Sequence, residues 1–337
     1  MGRRWRLVAV VGLTAVALLP AACGGPDDDG AGADGGLQGD IFVSGSSTVE
    51  PISGLNAEKF SGANPDVNIR VEGPGTGDGF ELFCNGESDI SDASRPIDDE
   101  EIAACQENGI GYTELEVALD GITVMTSPAN DAVECLSTGD LYALIGPESQ
   151  GFDTWSDANA LAQEVGGTGG FPDAPLDITA PGEESGTYDA FIELAGFEDI
   201  GVGQGLSEDE AATTRPDYQS SPNDNVIIQG VEGSESSFGW VGFAYYEQNA
   251  EAIKAIAIDG GDGCVAPTRE TIAEGSYPLS RSLYIYVNDA MAAEKSALKA
   301  YVDFYLSDEG FASVTEVGYV DLPADRIEAT RSTWRSA

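Results

Sequence analysis

Three times in this chain a short aliphatic run stops on a cluster of Gly, Ser and Thr, and apolar residues at helical spacing follow. In "IFVSGSSTVEPIS" the run Ile41–Val43 leads into Gly45, Ser46, Ser47 and Thr48, and Val49, Ile52, Leu55 and Phe60 come after. In "VNIRVEGPGTGDGFELF", Val67–Val71 leads into Gly73, Gly75, Thr76, Gly77 and Gly79. In "LDITAPGEESGTYDAFIELAGF", Leu176–Thr179 leads towards Ser185, Gly186 and Thr187, with Phe191, Ile192 and Leu194 beyond. A strand that hands over directly to a helix is the repeating unit of α/β proteins. At such a turn a hydroxyl can cap the helix, and the free N–H groups and positive dipole end can hold an anion. Taken singly, each turn reads as a cap. Three together place a ligand where strand C-ends and helix N-ends meet. None is a P-loop, which needs G-K-[ST], and "GPGTGDG" has Asp78 where a G-x-G-x-x-G needs its last glycine.

The remaining segments extend the α/β pattern. "GITVMTSP" and "RSLYIYVND" read as apolar strands of similar length, far apart in sequence, and the last 50 or so residues read as mainly helical, ending near "YVDL". This is a chain that leaves one domain, builds a second and returns. Its 337 residues suffice for two domains, and 42% hydrophobic content supports a core.

The first 22 residues stand apart. Arg3, Arg4 and Arg6 precede an apolar run, Leu7–Leu19, too short to span a bilayer, and small residues lead into Cys23. This is the layout of a secretory signal over 1–22, and a cysteine in that place resembles a bacterial lipoprotein, with Cys23 as the lipidated residue. Pro20 stands where such signals usually carry leucine. Residues 23–37, rich in Gly and Asp, read as a flexible tether. Four cysteines remain, Cys84, Cys105, Cys135 and Cys264, with no C-x-x-C among them. An exported chain oxidises them to two disulfides, for which three pairings exist.

Composition excludes several functions. The chain has no His, which removes Ser-His-Asp and Cys-His nucleophiles and His-based metal sites. The one S-x-x-K, Ser296–Lys299, lies in a helical pattern without partner motifs and reads as a helix face. Net charge is −44, and without the three leader arginines 12 basic residues face 59 acidic ones, giving −47. Nucleic acid and anionic membranes are poor partners for such a surface. An anion must therefore be captured by local dipoles and donors. Acidic, Lys-poor surfaces suit high salt, and the chain repels itself over a Debye length of about 10 Å at 0.1 M salt. The melting temperature is expected to rise from low salt to molar KCl; a flat or falling curve would assign the acidity another cause.

Four ordered motifs, "SGSSTVEPIS", "GPGTGDGFELFCNGESDISDASRPI", "EESGTYDAF" and "YPLSRSLYIYVN", resemble the phosphate-binding component of bacterial phosphate ABC importers, over residues of about 40 to 325. The resemblance implies an α/β, two-lobed periplasmic-binding-protein fold of type II-like form, with two crossover strands as a hinge. Lobe 1 would hold 38–120 and 282–337, and lobe 2 would hold 121–281. It implies binding of inorganic phosphate and delivery to ABC permease subunits, by a monomer without cofactor or metal. Ser47, Thr48 and Val49, then Thr76 and Ser94, then Ser185, Gly186 and Thr187 match its phosphate contacts, and Thr48 or Ser47 would also cap the first helix. Two positions depart from it: Pro181 stands where some members have arginine, and Ser94 where some have an aspartate that accepts the phosphate proton.

Arg95, next to Ser94, is then the natural cation, its alternative being a surface pair with Asp98 or Asp99. Arg215 is a weaker second. Asp92, Asp120 or Glu184 would accept the proton. Trp155 and Trp240 read as core or lobe-surface aromatics. Pairing within lobes leaves a hinge free, so Cys84–Cys105 and Cys135–Cys264 are the expected disulfides. A receptor for another oxyanion such as sulfate is the nearest alternative. An exported phosphatase-like enzyme lacks an activated nucleophile.

Overall fold

The computed structural model describes residues 36–183 and 185–337. The leader, Cys23 and Glu184 lie outside the described residues. Among the described residues no helix is long and apolar enough to cross a membrane.

One nine-stranded sheet organises the chain. β1 (Gly39–Gly45), β2 (Val67–Glu72) and β3 (Ile90–Ala93) lie parallel in the order β2-β1-β3. They feed α1 (Glu50–Ala63), α2 (Thr76–Cys84) and α3 (Asp99–Glu107). Parallel strands put all three connections at one edge of the sheet, which gathers the first two Gly/Ser/Thr turns side by side. Gly45 is required there. Its φ is +149°, and a β-carbon would meet the Asp92 carbonyl oxygen at 2.0 Å.

β4 (Tyr112–Thr126) then crosses from one half of the sheet to the other. Its first part pairs with β8 (Ser280–Asn288), and Ile122–Met125 pair with β7 (Ser237–Gly242). β5 (Asp177–Ala180) runs parallel to β7 and to β6 (Gln219–Ser220), and the third turn leads from β5 into α4 (Gly186–Leu194). "GITVMTSP" covers only the second part of β4. The charged residues Glu114, Glu116 and Asp120 obscure the strand's first part in the sequence, although Leu115 and Val117–Leu119 between them are buried. The chain returns through β8 to α5 (Ser296–Tyr305) and α6 (Asp308–Glu316). A further helix, α7 (Ala324–Ser336), follows where the sequence pattern suggested an end near "YVDL". Its buried face is sparse, only Thr330 and Trp334, too little to register as a helical stripe.

The core is aromatic on both sides. Phe60 of α1 packs edge-on against Tyr301 of α5, and Trp240 stacks on Phe191 of α4 at 4.2 Å between ring centroids. Trp155 and Trp240 are both fully buried, as core residues.

Both expected disulfides form, Cys84–Cys105 across 21 residues and Cys135–Cys264 across 129. Replacing each pair by serine is expected to cost about 2–4 kcal/mol, more for the longer loop. Urea unfolding of the two double variants checks this; a larger loss from the 21-residue loop would contradict it.

Candidate functional site

The first turn closes earlier than the sequence suggests. The Ser46 carbonyl accepts from the N–H groups of Val49 and Glu50 at 3.1 and 3.0 Å, and its Oγ accepts from the Thr48 N–H at 3.2 Å. Neither Thr48 nor Ser47 therefore caps α1: Ser46 closes the turn before it, because the chain already turns at the first hydroxyl after Gly45, and the helix begins after Val49 without a side-chain cap. The Val49 N–H is spent inside this turn and its side chain is fully buried. The Thr48 hydroxyl is left for other partners.

The second turn has no side-chain cap; Gly75 precedes Thr76 with φ +124°. Thr76 Oγ1 lies 3.0 Å from Ser94 Oγ and accepts the Ser94 N–H at 3.3 Å, so the structure brings these two candidates together. The turn also touches the first: a β-carbon on Gly73 would stand 3.0 Å from Ser47 Cα. At the third turn Ser185 caps α4, its Oγ accepting from the Thr187 N–H at 3.2 Å. That turn faces the first, since a β-carbon on Gly186 would lie 3.7 Å from the Ser47 carbonyl oxygen.

Arg281 of β8 reaches this meeting point. It is only 9% exposed, and its Nη2 donates to Thr48 Oγ1 at 3.1 Å. Nη1 donates to Glu193 of α4, and Nε lies 3.5 Å from Asp120 Oδ2. Asp120 and Arg281 are register partners across β4 and β8, which is why two charges are buried together where the strands cross. Burial raises the Asp120 carboxyl above the usual carboxylate range, against the pull of Arg281. Asp120 also lines a cavity of about 330 Å³ with Gly186, Thr187 and Tyr319.

The other candidates are placed elsewhere. Arg95 holds Glu101 with both terminal nitrogens, at 2.7 and 2.8 Å, and lies 3.6 Å from Asp98. Asp98 and Glu101 form the capping box of α3, so this guanidinium is committed to a helix start. Arg215 is buried but bonds Asp217 through two nitrogens, a loop ion pair that commits it away from the three turns. Asp92 is fully buried between β3 and α1, where its Oδ1 accepts from the Ser53 hydroxyl at 2.9 Å and Oδ2 has no partner. Only its backbone serves the first turn, the carbonyl accepting from the Ser46 N–H at 2.8 Å. Asp92 is thus a core acid and not a carboxylate of the cleft.

Hydroxyls and helix N-termini from both halves of the sheet, meeting over one buried cation where two strands cross, define an α/β binding protein of the two-lobed periplasmic type. Comparison with known proteins places the chain further. Residues 30–309 match the model of the PBP superfamily domain. Protein SphX of Synechocystis is 42% identical over 85% of this chain and 79% of the relative. The phosphate-binding protein PstS of Staphylococcus saprophyticus is 34% identical over 95% of this chain and 91% of the relative. A crystal structure described as a possible phosphate binding protein from Planctomyces limnophilus is 36% identical, with a TM-score of 0.80, over 89% of this chain and 99% of that one. The chain belongs to the PBP superfamily and, within it, to the family of PstS phosphate-binding proteins.

Proposed function

We propose that this protein binds inorganic phosphate outside the cytoplasm and delivers it to the permease subunits of a membrane ABC transporter. The observation that carries the reading is Arg281, a buried cation bonded to Thr48 where the Ser47 and Gly186 turns meet. Desolvating an oxyanion is costly, so a closed cleft must replace water with fixed donors. Ser47, Thr48, Thr76, Ser94, Ser185, Gly186 and Thr187 supply them, and Arg281 takes the role that the sequence suggested for Arg95. Asp120 is the carboxylate best placed to accept a proton from phosphate, as it lines the same cavity as Gly186 and Thr187. Sulfate at neutral pH has no proton to offer, so an acceptor carboxylate disfavours it.

The lobes of this reading are 38–120 with 282–337, and 121–281, hinged where β4 and β8 cross. Residues 1–22 direct export, 23–37 form the tether, and Cys23 carries the lipid that anchors the protein to the outer face of the membrane. The protein acts as a monomer and without catalysis, cofactor or nucleic acid. Calorimetric titration of desalted protein with phosphate, arsenate and sulfate tests the reading. Phosphate and arsenate are expected to compete for one site and sulfate to bind far more weakly. Saturation by sulfate with no heat from phosphate would move the reading to another oxyanion.

A further inference from the structure

The guanidinium that bonds Thr48 is shared with an acid that the phosphate reading leaves without a role. Glu193 stands two turns along α4 from Gly186, with its side chain 54% exposed, and its carboxylate accepts from Arg281 Nη1. The same charge is felt at Arg95, at Asp120 and at Asp189, whose carboxyl is raised by burial and then by Glu193. Arg281 therefore faces two carboxylates, Asp120 and Glu193, before any ligand is counted. An anion held on Thr48 and Arg281 meets a cation whose charge is already balanced, and meets the repulsion of Glu193 at close range.

We propose that Glu193 is a specificity-determining residue for the oxyanion. It offsets the charge of Arg281 and sets a fixed negative charge beside the ligand, so that the cleft discriminates against the more highly charged anion. This rests on the phosphate reading above. Coulomb repulsion is proportional to the charge of the ligand, so Glu193 penalises a dianion twice as strongly, in free energy, as a monoanion. At pH 6 inorganic phosphate is mainly the monoanion, while sulfate remains the dianion. The carboxylate thus widens the gap between the two ligands independently of any proton acceptor.

The test is a pair of variants titrated with phosphate and sulfate at pH 6, with melting temperature as the check on folding. Glu193→Gln keeps the shape and an acceptor for Arg281 but removes the charge. It is expected to tighten phosphate about fivefold and sulfate about the square of that, roughly 25-fold, so that selectivity falls. Glu193→Asp keeps the charge and should stay near the wild-type ratio. A merely structural Glu193 would weaken both ligands alike in both variants. Unchanged or weaker binding in Glu193→Gln, or equal gains for the two anions, overturns the proposal. Wild-type protein that binds no phosphate overturns the functional reading itself, and this inference with it.

Discussion

Phosphate affinity is expected to fall about a hundred-fold or more in Arg281→Ala, about 3–5 kcal/mol, and to change less than about threefold in Arg95→Ala. The contrast follows from where the two guanidinium groups are spent. Arg281 is buried, bonds Thr48 and lies beside Asp120. Its removal leaves a bound anion without a cation and a buried carboxyl without its partner. Arg95 is more exposed and its fork is filled by Glu101 of the α3 capping box. Arg281→Lys separates charge from geometry: a single ammonium keeps the charge but cannot hold Thr48 and both carboxylates at once, and should recover only part of the loss. Calorimetry on the four proteins decides between the cations. Loss in Arg95→Ala with wild-type affinity in Arg281→Ala would return the site to Arg95.

Asp92→Asn is expected to stabilise the protein at pH 8 by about 3–5 kcal/mol and to leave it nearly unchanged near pH 4. Burial pushes the Asp92 carboxyl up to about 8, with the Ser53 hydrogen bond opposing and the charge of Glu50 adding to the rise. An unfolded chain ionises the same group near the ordinary carboxylate value of about 3.9. Between those values the folded protein binds a proton that the unfolded chain has lost, so stability falls as pH rises. The contribution is fully present below about pH 4 and is lost as pH rises through about 8. Asparagine never ionises and avoids the loss. Urea unfolding at both pH values in molar KCl, where the acidic surface is screened, measures it. An equal effect at both pH values, or a less stable variant at pH 8, would contradict the burial argument. The same variant should keep phosphate affinity within about threefold, because the carboxyl faces Ser53 and not the turns.

These two residues mark what the sequence could and could not reveal. The turns themselves were legible because their chemistry is local: Ser185 caps α4, and Thr76 and Ser94 meet beyond the ends of β2 and β3, the strands on either side of β1. The disulfides followed once the order of segments was understood. Arg281 lay in plain view in "YPLSRSLYIYVN", yet its partner Thr48 is 233 residues away. Only the pairing of β8 with β4 sets it opposite Asp120. Arg95 looked suitable by adjacency to Ser94, but "IDDEE" carries a capping box whose glutamate claims the guanidinium, a competition that local reading could have weighed. Asp92 shows the same limit in a strand, where "SDA" does not disclose which face is closed by α1 and Tyr305.

The most direct measurement is a crystal structure of the protein with phosphate. Tetrahedral density is expected at the meeting of the three turns, within hydrogen-bonding distance of Thr48, Thr76 or Ser94, the Gly186–Thr187 helix start, and Arg281. Density bound instead at Arg215, or an empty cleft at saturating phosphate, would contradict it.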